Sequence, residues 1–181
     1  MTSVQPSERI AGVVIADFEV FGDERGHFEQ TYRREWFPGS REMVQANRAD
    51  RVAGCVVGLH HHLHQADYWY VPRGSARVVL HDLRAGSPTD GTTLTFDLDG
   101  DSARGVYIPP GVGHGFAALT DVTITYLVDR YYDPADELGV AWDDPEVGAD
   151  WGLAAPVLSR RDRANPRRAD LPEAQRPRWG P

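Results

Sequence analysis

The stretch "GLHHHLHQADYWYVPRG", residues 58–74, holds His60, His61, His62 and His64, then Asp67 and three aromatic residues in a row. On a strand, residues i and i+2 face the same side, so His60 and His62 point together while His61 points away. His114 follows later, in "PPGVGHGF". Imidazole nitrogens and carboxylate oxygens are the ligand types that hold Zn²⁺, Fe²⁺, Ni²⁺ or Mn²⁺. Imidazole is also the side chain that most readily moves protons near neutral pH. Two chemistries are open, metal binding and acid–base catalysis, and the surrounding elements must position the residues for either.

Those elements read as strands. "GVVIADFEVFGDERGHFEQTYRREWF" gives two or three short strands with a turn at 22–26. A strand is expected around 43–47 and another from Gly54. "YWYVPRGSARVVLHDLR" is a strand, a Pro-Arg-Gly turn and a strand. "TTLTFDL", "RGVYIPPGVGHGFAAL" and "VTITYLVDRYY" continue the series. Short strands about ten residues apart, with turn residues between them, predict an all-β sandwich or barrel. "DPADELGVAWDDPEVGADWG" reads as ordered loop and "LSRRDRANP" as one helical turn stopped before Pro166. The tail from Arg167 to the end is polar and Pro-rich, wrapped over a surface or loose. No repeat or linker divides the 181 residues, which predicts one domain, 1–181.

Composition narrows the function classes. All 19 basic residues are Arg, so no Schiff-base lysine and no lysine base is available. The net charge of −8 makes nucleic acid an unexpected partner. Cys55 is alone, which excludes an internal disulfide framework and fits a cytoplasmic protein. The N-terminus lacks a long apolar run, and no 18-residue apolar run occurs, so neither a signal peptide nor a membrane span is expected.

Gly54, His60, His62, Asp67 and Gly74, followed by Pro109, Gly111 and His114, resemble the two paired motifs of the cupin superfamily, a jelly-roll barrel whose motif residues point inward. That resemblance groups His60, His62, Asp67 and His114 as one ligand set, with Asp67 shorter than the usual Glu. A more specific resemblance covers nearly the whole chain. "DERGHFEQTYRREWF", "VQANRA", "GLH", "HDLRAGSPTDG", "YIPPGVGHGFAAL", "YLVDRYYDPADELGVAWDDPEVGADW" and "PVLSRRDRANP" are similar, in order, to segments of the dTDP-4-dehydrorhamnose 3,5-epimerases. The resemblance implies a cupin-like jelly roll with a short C-terminal helical segment, a homodimer, a nucleotide-sugar substrate and no required cofactor.

It also implies roles. Epimerisation beside a ketone needs a base, an acid and a group to hold the enolate oxygen. Carried over, the base is His60 oriented by Asp162, and the acid is Tyr126. The nucleotide contacts include Arg25 for phosphate and Phe28 for the base, with Gln45, Asn47 and His114 nearby; Gln30 stands where the family commonly has Glu. Two departures stand out. The Arg before Gly-Leu-His is Val57, and the family's Lys is Asp67. One change removes the cation that would hold an enolate, and the same change completes a cupin ligand set. Three functions follow from these residues: an epimerase, a metal-dependent cupin enzyme of another specificity holding a divalent cation, or a non-catalytic ligand binder. Retention of Tyr126, His60 and Asp162 argues against the third. Each has a plainer explanation too: Ser159 and Asp162 fit a capping box, Tyr126 a cross-strand aromatic, and Arg25 a surface ion pair with Asp23. His61, His64 and His81 are expected to be packed or solvent-facing.

Overall fold

A computed structural model describes residues 1–180, and in it the chain is built almost entirely from antiparallel strands. In chain order these are β1 (Ser3–Pro6), β2 (Val14–Asp17), β3 (Val20–Asp23), β4 (Gly26–Glu29), β5 (Gln45–Arg51), β6 (Val56–His61), β7 (Asp67–Arg73), β8 (Ser75–Asp82), β9 (Thr93–Asp99), β10 (Arg104–Ile108), β11 (Val112–Ala118), β12 (Val122–Val128) and β13 (Leu138–Gly139). One sheet runs β1-β2-β10-β7-β12-β5, a second runs β13-β6-β11-β8-β9, and β3 pairs with β4 as a separate hairpin. The all-β, cupin-like expectation holds, and the helical content is short 3-10 turns, including Asp162–Ala164.

Alternation along each strand divides the side chains between layers. Trp69 and Val71 on β7, Val78 and Leu80 on β8, Phe116 on β11 and Ile124 on β12 meet in the core between the sheets. The opposite parity faces outward but is covered. Tyr68 packs with Phe18, Phe37 and Tyr107 outside the six-stranded sheet. Val79, Ala117, Trp151 and Leu171 pack outside the five-stranded one. The run Tyr68-Trp69-Tyr70 is therefore split: Trp69 is inside and its neighbours are outside.

The C-terminal tail is wrapped rather than loose. Leu171 is buried, Ala85 and Trp179 exchange backbone hydrogen bonds with the tail and the β8–β9 loop, and Arg84 stacks on the Trp179 ring. The "HDLRAGSPTDG" segment is held from inside by Asp82, whose carboxylate accepts from Arg84, Ser87 and Thr89 at 2.6–2.9 Å. Burial opposes ionising Asp82, but those hydrogen bonds outweigh it and hold its pKa down to about 2. That motif is structural. The end of the domain at Pro181 lies outside the described residues.

Candidate functional site

A cavity of about 230 Å³ opens between the two sheets at the end where β6 and β12 finish and β7 and β11 begin. Strand parity fills it. His60 and His62 enter from β6 and the turn after it, and His114 from β11, all on the five-stranded side. Asp67 and Trp69 from β7, Tyr126 from β12, and Ala49 and Arg51 from β5 line the six-stranded side. His61 points out of the cavity and donates to the Gln175 carbonyl at 3.0 Å, as the period of two requires. His60 and His114 lie directly opposite one another across β6 and β11. Two glycines permit this approach: a Cβ on Gly58 would lie 2.7 Å from the Gly115 Cα, and one on Gly115 would lie 2.6 Å from the Val57 carbonyl.

His60 Nε2 sits 2.6 Å from Asp162 Oδ1. The other oxygen of Asp162 accepts from Ser159 Oγ at 2.8 Å, and the Asp162 backbone N–H donates to the same Oγ at 3.0 Å. The turn is thus capped by Ser159 as the sequence suggested, while the carboxylate of Asp162 is directed at His60. Structural and chemical roles coincide in one residue. Burial works against the charge on Asp162, but the hydrogen bonds from His60 and Ser159 outweigh it and keep its pKa below the ordinary value. A buried carboxylate behind an imidazole fixes its tautomer and stabilises its protonated form. With Nε2 engaged, Nδ1 is the nitrogen left for proton transfer.

A second group lies beside this pair. One nitrogen each from His62 and His114 and one oxygen from Asp67 all fall within 4.8 Å of one another. The expected ligand set of His60, His62, Asp67 and His114 is corrected here to three residues. His60 lines the same cavity, but its Nε2 is engaged by Asp162 and it is not one of the group. His62 donates from Nδ1 to the Asp136 carbonyl at 2.7 Å, and His114 from Nδ1 to the Val112 carbonyl at 3.0 Å. Burial pushes His114 down to about 3 despite the nearby Asp67 carboxylate, so its ring is neutral. The Asp136 carboxylate fixes the turn after β6 by accepting from the Leu63 and His64 N–H groups.

Tyr126 faces His60 from the opposite sheet. Burial, reinforced by Asp67 and Glu137, raises its hydroxyl above the usual value, so it carries its proton at neutral pH. A larger surface cleft of about 870 Å³ lies between Arg41, Arg84, Pro110 and the tail. Its Arg41, Arg84 and Arg178 are matched by Asp129, Asp82 and Glu173, and its Arg176 donates to the Leu171 and Ala169 carbonyls. His60 and Tyr126 line the smaller cavity instead.

The sequence matches the family model described as dTDP-4-dehydrorhamnose 3,5-epimerase over residues 7–170. The chain belongs to the dTDP-4-dehydrorhamnose 3,5-epimerase family. A dTDP-4-dehydrorhamnose 3-epimerase of Streptomyces niveus is 40% identical over 85% of this chain and 78% of its own length. A 4-keto-6-deoxy sugar epimerase of Streptomyces spheroides superposes with a TM-score of 0.93 at 37% identity, covering 99% of this chain and 94% of its own. The Legionella pneumophila dTDP-6-deoxy-D-glucose-3,5-epimerase, in complex with dTDP-4-keto-L-rhamnose, also reaches 0.93, at 28% identity and 100% of both chains. Family members of this kind are isomerases.

The other residues implied by the family resemblance separate into two sets. Gln45 and Asn47 share the inward parity of β5 with Ala49 and Arg51, and Gln45 Nε2 donates to Asn47 Oδ1 at 2.8 Å. Arg25, Phe28 and Gln30 do not line this chain's own cavity. Arg25 pairs with Asp23, Phe28 packs on Phe21 at 6.4 Å between ring centroids, and Gln30 accepts from Arg33. Arg51, Gln65, Glu137 and Arg161 line the cavity without having been expected there. Arg51 had a signal, the two-residue period from Gln45 and Asn47. Glu137 and Arg161 come from irregular chain and had none.

Proposed function

We propose that this chain is an isomerase that epimerises a dTDP-4-keto-6-deoxy-hexose at C3 and/or C5. A ketone at C4 acidifies the hydrogens on both neighbouring carbons, and one base and one acid on opposite faces of the ring suffice to invert a centre. His60, braced by Asp162, is the base, and its Nδ1 takes the proton. Tyr126, on the opposite sheet and held protonated, returns one to the other face. The proton balance closes without a redox step, so this reading requires no cofactor. The observation that carries it is the 2.6 Å His60–Asp162 pair facing Tyr126 across the cavity.

The nucleotide half of the substrate is read as contacting Gln45 and Asn47, with Arg25, Phe28 and Gln30 supplied by the β3–β4 hairpin of a second copy. This is why the reading includes a homodimer; a monomer by light scattering would refute that part. Exposed Phe21 and Phe28 on the hairpin support it. Residues 1–181 are taken as one cytoplasmic cupin-like domain; no helix among the described residues is long and apolar enough to cross a membrane.

The test is solvent exchange. In deuterated water the chain should wash deuterium into C3, and into C5 if both centres turn over. Tyr126→Phe should lower net epimerisation by about 10²-fold or more while leaving exchange at C3. No wash-in at either carbon refutes the reading.

A further inference from the structure

We propose that His62, Asp67 and His114 form a binding site for one divalent first-row metal ion of the Zn²⁺, Fe²⁺, Ni²⁺ or Mn²⁺ class. The inference starts from hydrogen-bond polarity. Backbone carbonyls only accept, so the bonds to the Asp136 and Val112 carbonyls place the ring protons of His62 and His114 on Nδ1. Each Nε2 is then the nitrogen left to coordinate. Both Nε2 atoms face the carboxylate of Asp67, at 3.9 Å from Oδ1 for His62 and 4.0 Å from Oδ2 for His114. Three potential ligand groups therefore converge at distances too long for hydrogen bonds between them.

The carboxylate itself is under-compensated. Asp67 is 4% exposed and accepts only from the Gln65 amide and the Trp69 indole, at 2.9 and 3.0 Å. Among the described residues no Arg lies within ion-pair distance of it. A buried carboxylate without a cation is costly, and a cation placed among the three groups removes that cost. An ion bonded to each atom at about 2.0–2.2 Å in tetrahedral geometry sets the ligand atoms about 3.3–3.6 Å apart, so the three side chains, whose ligand atoms now fall within 4.8 Å of one another, close up slightly on binding. Two imidazoles and one carboxylate on one side, with the cavity on the other, give a three-ligand site with open positions. The carbonyls behind both Nδ1 atoms orient the rings, as the outer partners of metal-bound histidines do.

The proposal goes beyond the epimerase reading, and binding does not depend on it. In that reading the bound ion would supply the positive charge for the enolate oxygen where relatives are expected to carry a lysine.

Co²⁺ titration of the chelator-treated full chain, followed by visible d–d absorption and without any sugar, reads the site directly. One Co²⁺ per chain should bind and be displaced by Zn²⁺. Asp67→Asn, which keeps the side chain's shape, and His114→Gln should each weaken binding by about tenfold or more, while His60→Asn should stay within about threefold. Saturating Zn²⁺ should also raise the melting temperature of the unmodified protein, a measurement that needs no variant. Absence of Co²⁺ binding, absence of the Zn²⁺ shift, unchanged affinity in Asp67→Asn, or an equal loss in His60→Asn would each overturn the assignment. Because no substrate is present, such a failure is separate from a failure of solvent exchange.

Discussion

Asp162→Asn isolates the charge behind the base. The amide matches the carboxylate in shape, and its oxygen can still accept from His60 Nε2, while Ser159 Oγ can still receive the Asp162 backbone N–H as it does now at 3.0 Å. What disappears is the negative charge that stabilises His60 once it has taken a proton. The pair is 2.6 Å apart with side chains 19% and 4% exposed, which is closer to interior than to surface conditions. Opposite charges centred about 4 Å apart contribute about 4 kcal/mol at an effective dielectric of about 20. Allowing for the amide dipole that remains, about 3 kcal/mol is lost, or roughly two orders of magnitude in the rate of proton removal. Asp162 does not touch substrate, so the loss should fall on kcat, with KM nearly unchanged. The assay is initial-rate deuterium incorporation at C3, with Ser159→Ala as the control. Ser159→Ala removes two hydrogen bonds, of which only the one donated to Asp162 Oδ2 touches the carboxylate; at about 1 kcal/mol for that bond it should slow exchange less than tenfold. If Asp162→Asn keeps exchange within tenfold, or if Ser159→Ala is equally damaging, Asp162 serves the turn and not the base.

Two further outcomes test the framework around the site. Gly115→Ala puts a Cβ 2.6 Å from the Val57 carbonyl and 2.9 Å from the Trp151 ring, so it should cost about 2 kcal/mol in thermal unfolding and reduce exchange by separating His60 from His114; an unchanged melting temperature with full activity refutes the close-approach argument. Burial pushes His81 down to about 4, Arg168 adding to the effect and Asp82, Asp144 and Asp90 opposing it; the unfolded chain binds a proton near pH 6.5 and the folded one does not, so stability falls as pH drops from 6.5 to 4, with about 3 kcal/mol from this residue at the lower end, and His81→Phe should make the fall of the melting temperature over that window shallower, the remainder belonging to His61 and His114, which burial also holds down, an unaltered slope counting against it.

Much of this arrangement was legible in residue spacing because strands have an exact side-chain period. "YWYVPR", "VVLHD" and "VGHGF" place their inward and outward residues as alternation predicts, which is why His114 sits in line with Val112 and Phe116. β5 was read as 43–47 but runs Gln45–Arg51; Arg48 and Asp50 look like loop residues, yet they occupy the outer face of a strand paired along β12. β1 was missed because four residues ending in Pro carry little pattern, and Pro is tolerated there only because the strand is an edge. β13, two residues long, exists because Leu138 and Gly139 pair with His61 and His60, a contact no local pattern announces. The placement of His60 outside the ligand group was equally hidden, since it depends on Asp162, 102 positions away.

From the ligand spacing alone, the two chemistries compete for His60, because a nitrogen that holds a metal cannot also remove a proton. The folded chain removes that competition. Asp162 takes His60 Nε2, and the neighbouring three ligand groups close on one another without it. A proton-transfer pair and a cation-demanding cluster then share one cavity with no residue in common. Asp67, which as an anion would oppose enolate formation in the place of a lysine, is the residue that makes the cluster demand a cation. The exchange that departs furthest from the family pattern is thereby the one that restores positive charge to the pocket, and the base, outside the cluster, stays free to act.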